Sequence, residues 1–359
     1  MKNPPRSVLV IVTRRIGDVL LATPLIRSIK AAWPQTQIDA LVFEGAAGVL
    51  EGNPDLRRVR AVPERPGLLQ HIVFTAQFVR RYDMALSLIP GDRPTLYAFF
   101  AARWRAGLLM DRHGQEWKKR LLQRWMAFDD VNTHTVRMNL ALTKLLGIEP
   151  QATFWLPSSD AISAELDQVC TFDSAQEKFA VLHVYPKFNY KMWHKQGWTE
   201  LAQWLHDQGM RIVLTGGGDT AEQAYVREIA ATLPGKVENL AGRLSLGAAC
   251  LLASRARLFA GTDTALTHAA AALGAPTVAL FGPTNPVKWG PWPKGHDSGS
   301  NPWQRCGTQH RGNVVLVQGV GACVPCHHEG CDRHTASYSQ CLQELPAARV
   351  IAAANTVMQ

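Results

Sequence analysis

Residues Gly261–Pro276 read GTDTALTHAAAALGAP. An apolar run, RLFAGT (257–262), leads into this stretch, and PTVALFG (276–282) leads out of it. Strand, glycine turn, Ala-rich helix and second strand together form the pattern of a parallel βαβ unit. Thr262, Asp263 or Thr264 can each cap the helix. The helix start also gathers unpaired backbone N–H groups and a partial positive charge, which suits a diphosphate. His268 lies four residues beyond Thr264, on the same helix face and near the same end. The small side chains of Ala269–Ala272 allow the helix to pack closely on a sheet.

The same alternation runs outward in both directions. FAVLHVY (179–185) and RIVLTGG (211–217) read as buried strands, with helices over 198–208, 220–232, 246–255 and 264–273. The first half offers strands SVLVIVT (7–13), QIDALVF (37–43), RRVRAV (57–62) and MALSLI (84–89). A helix over 19–33 is opened by Gly17-Asp18, and another is read over 134–148. Two successive βα arrays in 359 residues predict an α/β protein of two Rossmann-like, doubly wound parallel-sheet domains with an interdomain cleft. The expected bounds are 1–160 for the first domain, 175–345 for the second and 346–359 for a final helix. Residues 150–178, rich in Pro and polar side chains, read as the connection. Ligands of such sheets sit at the carboxyl ends of the strands. Besides Gly261–Thr264, two further turns of the second half fall there. They are Gly216-Gly217-Gly218-Asp219, which tight connection alone would also explain, and Phe281-Gly282-Pro283-Thr284.

Lys plus Arg number 38 against 29 Asp plus Glu, a net charge of +9, which favours anionic partners. No nucleic-acid module is visible. The apolar run SVLVIV ends at Arg14-Arg15, too early for a secretory leader, and no apolar stretch is long enough to span a bilayer. A cytoplasmic protein with reduced thiols is expected. Residues 93–124 hold eight Lys or Arg against Asp111 and Glu116, interleaved with Phe99, Phe100, Trp104 and Trp117. That mixture suits either the grip of an anionic glycolipid at a membrane surface or a solvated helix face with aromatic anchors. Cys323, Cys326, Cys331 and Cys341 fall within 19 residues. Cys-x2-Cys is a chelating spacing, so a structural zinc ion competes with unligated thiols.

GTDTALTHAAAALGAPTVALFGPTNP closely resembles the C-terminal motif of the lipopolysaccharide heptosyltransferases, the ADP-heptose transferases of glycosyltransferase family 9. VLVIVTRRIGDVLLATPLIRSIKAAWP resembles that family's opening motif, and HTVRMNLALTKLLGI and KMWHKQGWTELAQWL match in place and order. The resemblance implies a GT-B fold, with the acceptor on the first domain and the nucleotide sugar on the second. It assigns Asp263, Thr264 and His268 to the donor's diphosphate and sugar, Lys191 to the phosphates, and Glu222, beside Gly217, to the nucleoside hydroxyls. It makes Asp18 the general base of a one-step, inverting, metal-independent transfer; as bare sequence, Asp18 could equally cap a helix. Arg14 and Arg15 are candidates for the acceptor's anionic groups, or simply flank the strand. The implied partners are an ADP-sugar and an anionic lipid-linked oligosaccharide, met at the inner face of the cytoplasmic membrane. No cofactor is required.

Three positions depart from the family pattern. Ala265 and His194 stand where Gly and Pro are usual, and Tyr185-Pro186-Lys187-Phe188 replaces a small loop. Two alternatives therefore stay open: another nucleotide sugar on the same fold, and a non-catalytic nucleotide-sugar binding protein, for which a carboxylate at position 18 would be unnecessary.

Overall fold

The computed structural model describes residues 4–359, which form two compact units. The first comprises the chain to Pro157 with Asp297–Ser300, and the second Ser158–His296 with Asn301–Gln359.

In the first unit the strands are β1 (Ser7–Val12), β2 (Gln37–Phe43), β3 (Arg58–Val62), β4 (Tyr82–Ser87), β5 (Ala102–Met110) and β6 (Arg124–Phe128). They form one sheet in the order β3-β2-β1-β4-β5-β6, and every pairing is parallel. The helices are α1 (Ile16–Leu20), α2 (Thr23–Ala32), α3 (Leu68–Ala76), α4 (Asp92–Ala101), α5 (Glu116–Leu121) and α6 (Thr135–Leu146). β1 is central, and five of its six residues are buried, as a strand covered on both faces requires.

The single helix expected over 19–33 is two helices. Pro24 has no N–H to give to the Leu20 carbonyl, and the Thr23 hydroxyl takes that carbonyl instead at 2.8 Å. Residues 93–124 also differ from a single helix face: helix α4, strand β5 and helix α5 occupy them.

The second unit holds α7 (Asp160–Val169), β7 (Phe179–His183), α8 (Lys195–Asp207), β8 (Arg211–Leu214), α9 (Thr220–Ala230), β9 (Val237–Asn239), α10 (Leu246–Arg255) and β10 (Leu258–Thr262). There follow α11 (Ala265–Leu273), β11 (Thr277–Phe281), α12 (Pro286–Trp289), β12 (Gln309–Arg311), β13 (Val314–Gln318), α13 (Gln340–Gln343) and α14 (Ala347–Met358). The sheet order is β12-β13-β11-β10-β7-β8-β9, parallel except for β12. β12 falls inside the stretch 293–312, which reads from sequence as a loop. α14 packs against α8, β10, β11 and β13 and is part of this unit's core.

The segment 150–178 is less of a linker than its composition suggests. Gln151 and Trp155 are tied by backbone N–H bonds to Ser28 Oγ and Thr23 Oγ1 in the first unit. From Ser159, which caps α7 by accepting from Ile162, the chain belongs to the second. Glu165 on α7 then takes both the N–H and the hydroxyl of Ser245, the residue that caps α10, at 2.6 Å each.

Candidate functional site

The turn after β10 carries the most concentrated chemistry. Gly261 is required there by space: a Cβ would lie 2.7 Å from Thr267 Oγ1 and 2.9 Å from the Phe259 ring. That closeness lets the Thr267 hydroxyl hold the Thr262 carbonyl at 2.5 Å, locking the end of the strand to the start of α11. Thr264 is the N-cap, accepting from Thr267 N–H, and Gly274 with φ of 95° ends the helix in the left-handed conformation. Of the three capping candidates it is therefore Thr264 that caps, which leaves Asp263 for other work.

Asp263 is buried, and Lys191 reaches it from the single turn of 3-10 helix, Asn189–Lys191, that follows β7. The ammonium lies 2.5 Å from Asp263 Oδ2 and donates to the Asp263 carbonyl at 3.4 Å. His268 Nε2 is 3.6 Å from Oδ1. Burial alone would push the Asp263 carboxyl up, but the Lys191 ammonium and then His268 overcome it and hold the group well below the usual carboxylate range. Asp263 is therefore an anion and Lys191 its counter-cation. On the other side of the imidazole, His268 Nδ1 is buried with no hydrogen-bond partner, and so is Thr262 Oγ1. Buried polar atoms without partners are uncommon, and two at one helix start mark a place prepared for a polar ligand.

Glu222 sits over the second glycine turn. Its Oε1 accepts the Gly217 N–H at 2.7 Å, and a Cβ on Gly216 would lie 2.9 Å from the same oxygen. Burial, with Asp219 adding repulsion, pushes its carboxyl up despite the Gly217 bond. Asp219 caps α9 through Ala221 and Glu222 N–H, so Glu222 itself is not the cap. Tyr185, at the end of this sheet, packs edge-on against Tyr225 at 5.3 Å, and its hydroxyl is pushed up first by burial and then by Asp219, Glu222 and Tyr338. Sequence reasoning missed Tyr225 and Tyr338 as neighbours of the second glycine turn. Tyr338 in particular lies more than a hundred residues along the chain from Glu222, with no local signal.

His194, which stands where a proline is usual, has a specific role here. Its Nδ1 caps α8 by accepting from Gly197 N–H at 2.9 Å, while Nε2 meets the Leu345 carbonyl at 2.9 Å. One imidazole tautomer, protonated on Nε2, satisfies both bonds. Trp193 beside it is fully buried and donates to the same carbonyl.

In the first unit Asp18 lies in the first turn of α1, just past the carboxyl end of β1, and is buried. The N-cap position is Arg15, so the capping role open to Asp18 from sequence is not the one it has. Arg14 Nε is 3.5 Å from Asp18 Oδ1, with the arginine side chain 41% exposed.

Cys323, Cys326 and Cys331 are free thiols, and Cys341 is a buried one pushed up to about 12 by burial and then by the other three. Among the described residues no group of three or more His, Cys, Asp or Glu side chains is gathered to hold a metal. The cysteine segment is tied to the loops around the site. His327 N–H donates to the Pro283 carbonyl, and Asn189 Nδ2 donates to the Ala336 carbonyl. Among the described residues no helix is long and apolar enough to cross a membrane.

Two Rossmann-like domains, with a charged group at a helix start on the second sheet's carboxyl edge, have the architecture of a GT-B fold. The model of glycosyltransferase family 9 (heptosyltransferase) matches residues 95–314, more than half of the chain, and the chain belongs to that family. The lipopolysaccharide heptosyltransferase 3 of Escherichia coli is 25% identical over 295 residues, covering 77% of this chain and 83% of that protein. Among solved structures, a glycosyl transferase family 9 protein from Veillonella parvula superposes with a TM-score of 0.78 at 17% identity, covering 98% of this chain and 97% of that one. The E. coli ADP-heptose lps heptosyltransferase II does so at 0.74 and 22%, covering 98% of both chains.

Proposed function

We propose that this glycosyltransferase moves heptose from ADP-heptose to the inner core of lipopolysaccharide, with inversion at the anomeric carbon, at the inner face of the cytoplasmic membrane. The observation that carries this reading is the buried Lys191–Asp263–His268 group at the start of α11, with its unpartnered His268 and Thr262 atoms. The names of the relatives, lipopolysaccharide heptosyltransferases and an ADP-heptose enzyme, supply the sugar, the nucleotide and the acceptor.

In this reading the diphosphate lies at the N-terminus of α11. Its negative charge meets the helix N–H groups, Thr264 and the Lys191 ammonium. His268 and Asp263 face the sugar, and Glu222, beside Gly217, takes the nucleoside hydroxyls. The acceptor hydroxyl attacks the anomeric carbon as the bond to the diphosphate oxygen breaks, and that oxygen keeps the electron pair. Asp18 takes the hydroxyl proton. A carboxylate is a weak base for a free sugar hydroxyl, but the proton becomes acidic as the new C–O bond forms, so positioning matters more than basicity. Lys191 places a positive charge on the departing ADP, where other transferases use a metal ion. Arg14 and Arg15 face the acceptor's anionic groups.

A second reading keeps the fold and changes the sugar, motivated by Ala265 and the bulky loop Tyr185-Pro186-Lys187-Phe188 at the donor side. The test is mass-spectrometric transfer to a heptose-deficient core oligosaccharide, with ADP-heptose and ADP-glucose compared. Addition of one heptose from ADP-heptose only is expected. Transfer from ADP-glucose alone would move the reading to the second, and binding without transfer of any sugar would leave a non-catalytic protein.

A further inference from the structure

Helix α3 has one apolar face packed on the core and, among its described side chains, another that is exposed. Phe74 and Phe78 pack edge-on against the Tyr97 ring at 6.3 and 5.8 Å, and the Tyr97 hydroxyl meets His71 Nδ1 at 3.2 Å. Those residues hold the helix to the core of the first unit. Leu69, Ile72, Val73 and Ala76 recur at i, i+3, i+4 and i+7, so they form the other face. Leu69 is 78% exposed, Ile72 56% and Val73 62%. Val79 and Phe100 continue the exposed apolar surface, joined where Arg80 N–H donates to the Phe100 carbonyl. A helix whose outer face carries its largest aliphatic side chains in water is unusual for a soluble surface, where apolar residues are scattered singly.

The charges flanking it are mainly positive, with the acids Glu64 and Asp83 just beyond the arginines. From residue 65 through residue 82 the chain has Arg65, Arg80 and Arg81 and no Asp or Glu. The helix itself is uncharged, and the three arginines flank its two ends. An apolar strip framed by arginines is the arrangement that lies in an anionic lipid surface, with aliphatic side chains among the acyl chains and guanidinium groups among the phosphates.

We infer that the outer face of α3, Leu69, Ile72, Val73 and Ala76 with Arg65 and Arg81, docks the first unit on an anionic bilayer. The inference rests on the proposed lipid-linked acceptor for its purpose but not for its physics. Docking would hold the enzyme on the surface where such an acceptor is confined.

The experiment is co-sedimentation of the full chain with vesicles of phosphatidylglycerol and phosphatidylethanolamine, against vesicles of phosphatidylcholine alone. The variant is Ile72→Ser with Val73→Ser, both exposed, with circular dichroism and melting used to check that the fold is retained. Wild type is expected to bind the anionic vesicles and release at high salt, and the double variant to bind about tenfold or more weaker. Arg65→Gln with Arg81→Gln is expected to lose the preference for phosphatidylglycerol. Both variants should act on a water-soluble acceptor fragment at the wild-type rate, so that failure to dock is distinguishable from failure of the proposed transfer. Wild-type absence from the anionic vesicles, or equal binding by the folded Ile72→Ser, Val73→Ser variant, would overturn the inference. So would a concentration-dependent dimer abolished by that variant, which would make a second copy the occupant.

Discussion

Replacing Lys191 by Met tests the charged group at its centre. The Lys191 side chain is 17% exposed and that of Asp263 8%, so the methionine leaves a carboxylate in the interior with only His268 nearby. Breaking such a pair by removing one partner costs roughly 3–5 kcal/mol. The remaining exposure lets water reach the site, which lowers the expectation to about 2–4 kcal/mol. For a unit of this size that is a fall in melting temperature of roughly 5–15 °C near neutral pH. The pH dependence has a definite sign. In the wild type the carboxyl is depressed, so its stabilising contribution is full above the unfolded value of about 4 and is lost only as pH falls through the lower folded one. In the variant burial is opposed by His268 alone, so the carboxyl rises from its wild-type value and takes up a proton more readily as the pH falls, which relieves the buried charge. The gap between the two proteins therefore narrows from about pH 7.5 to about pH 5. Melting curves followed by circular dichroism at the two pH values read it directly. A variant that melts within about a degree of wild type near neutral pH, or a gap that widens on acidification, would refute the reasoning.

Asp18→Asn should lower kcat by about 10²–10⁴ while the donor KM stays near its wild-type value, and near-normal turnover in a steady-state assay would remove the base from the mechanism. Gly197→Ala should destabilise by about 1–3 kcal/mol, because its Cβ would lie 2.3 Å from the buried Trp193 ring, more than the helix-propensity gain of alanine offsets. Urea unfolding followed by tryptophan fluorescence measures it, and an unchanged midpoint would contradict the packing. Alkylation of the native protein near pH 8, mapped by mass spectrometry, should mark the exposed Cys306, Cys323 and Cys331 first. Cys250 and Cys341, both pushed up to about 12 by burial, and Cys170, pushed up to about 11, should react only on unfolding. Protection of Cys323 and Cys331 together with co-purifying zinc would support a structural zinc site there.

What was legible in the sequence follows from what each signal measures. Buried parallel strands such as β1, β7 and β10 are continuous apolar runs, and helices α10 and α11 begin at a Ser or Thr that caps in the structure, so their order could be read directly. β6 lies at a sheet edge with Arg124, Trp125 and Ala127 exposed, and its sequence shows no run to read. α7 buries only Leu166, so its cap at Ser159 looks like an ordinary turn. β13, an apolar run fully buried between β11 and β12, lies outside the strands read from sequence although its composition marks it as one. At the site, spacing placed Asp263, Thr264 and His268 on one helix start, but it could not separate the cap from the charge. That division came from Lys191 and Asp263, 72 positions apart in the chain, meeting in one ion pair. Helix α3 lies outside the elements read from sequence, where only the absence of charge over its nine residues was legible. Its exposure was not, because an apolar stripe in sequence does not say which side is covered.

The central claim is that the second unit holds an ADP-sugar through Lys191 and the start of α11. It is tested most directly by thermal shift with ADP, UDP, GDP and CMP on the wild-type chain and on Lys191→Met. ADP at about a hundredfold over its Kd should add roughly 2.7 kcal/mol of stability, a rise of several degrees, with little response to the other nucleotides and a reduced response in the variant. An equal response to UDP or GDP, or an ADP shift undiminished by Lys191→Met, would contradict the account.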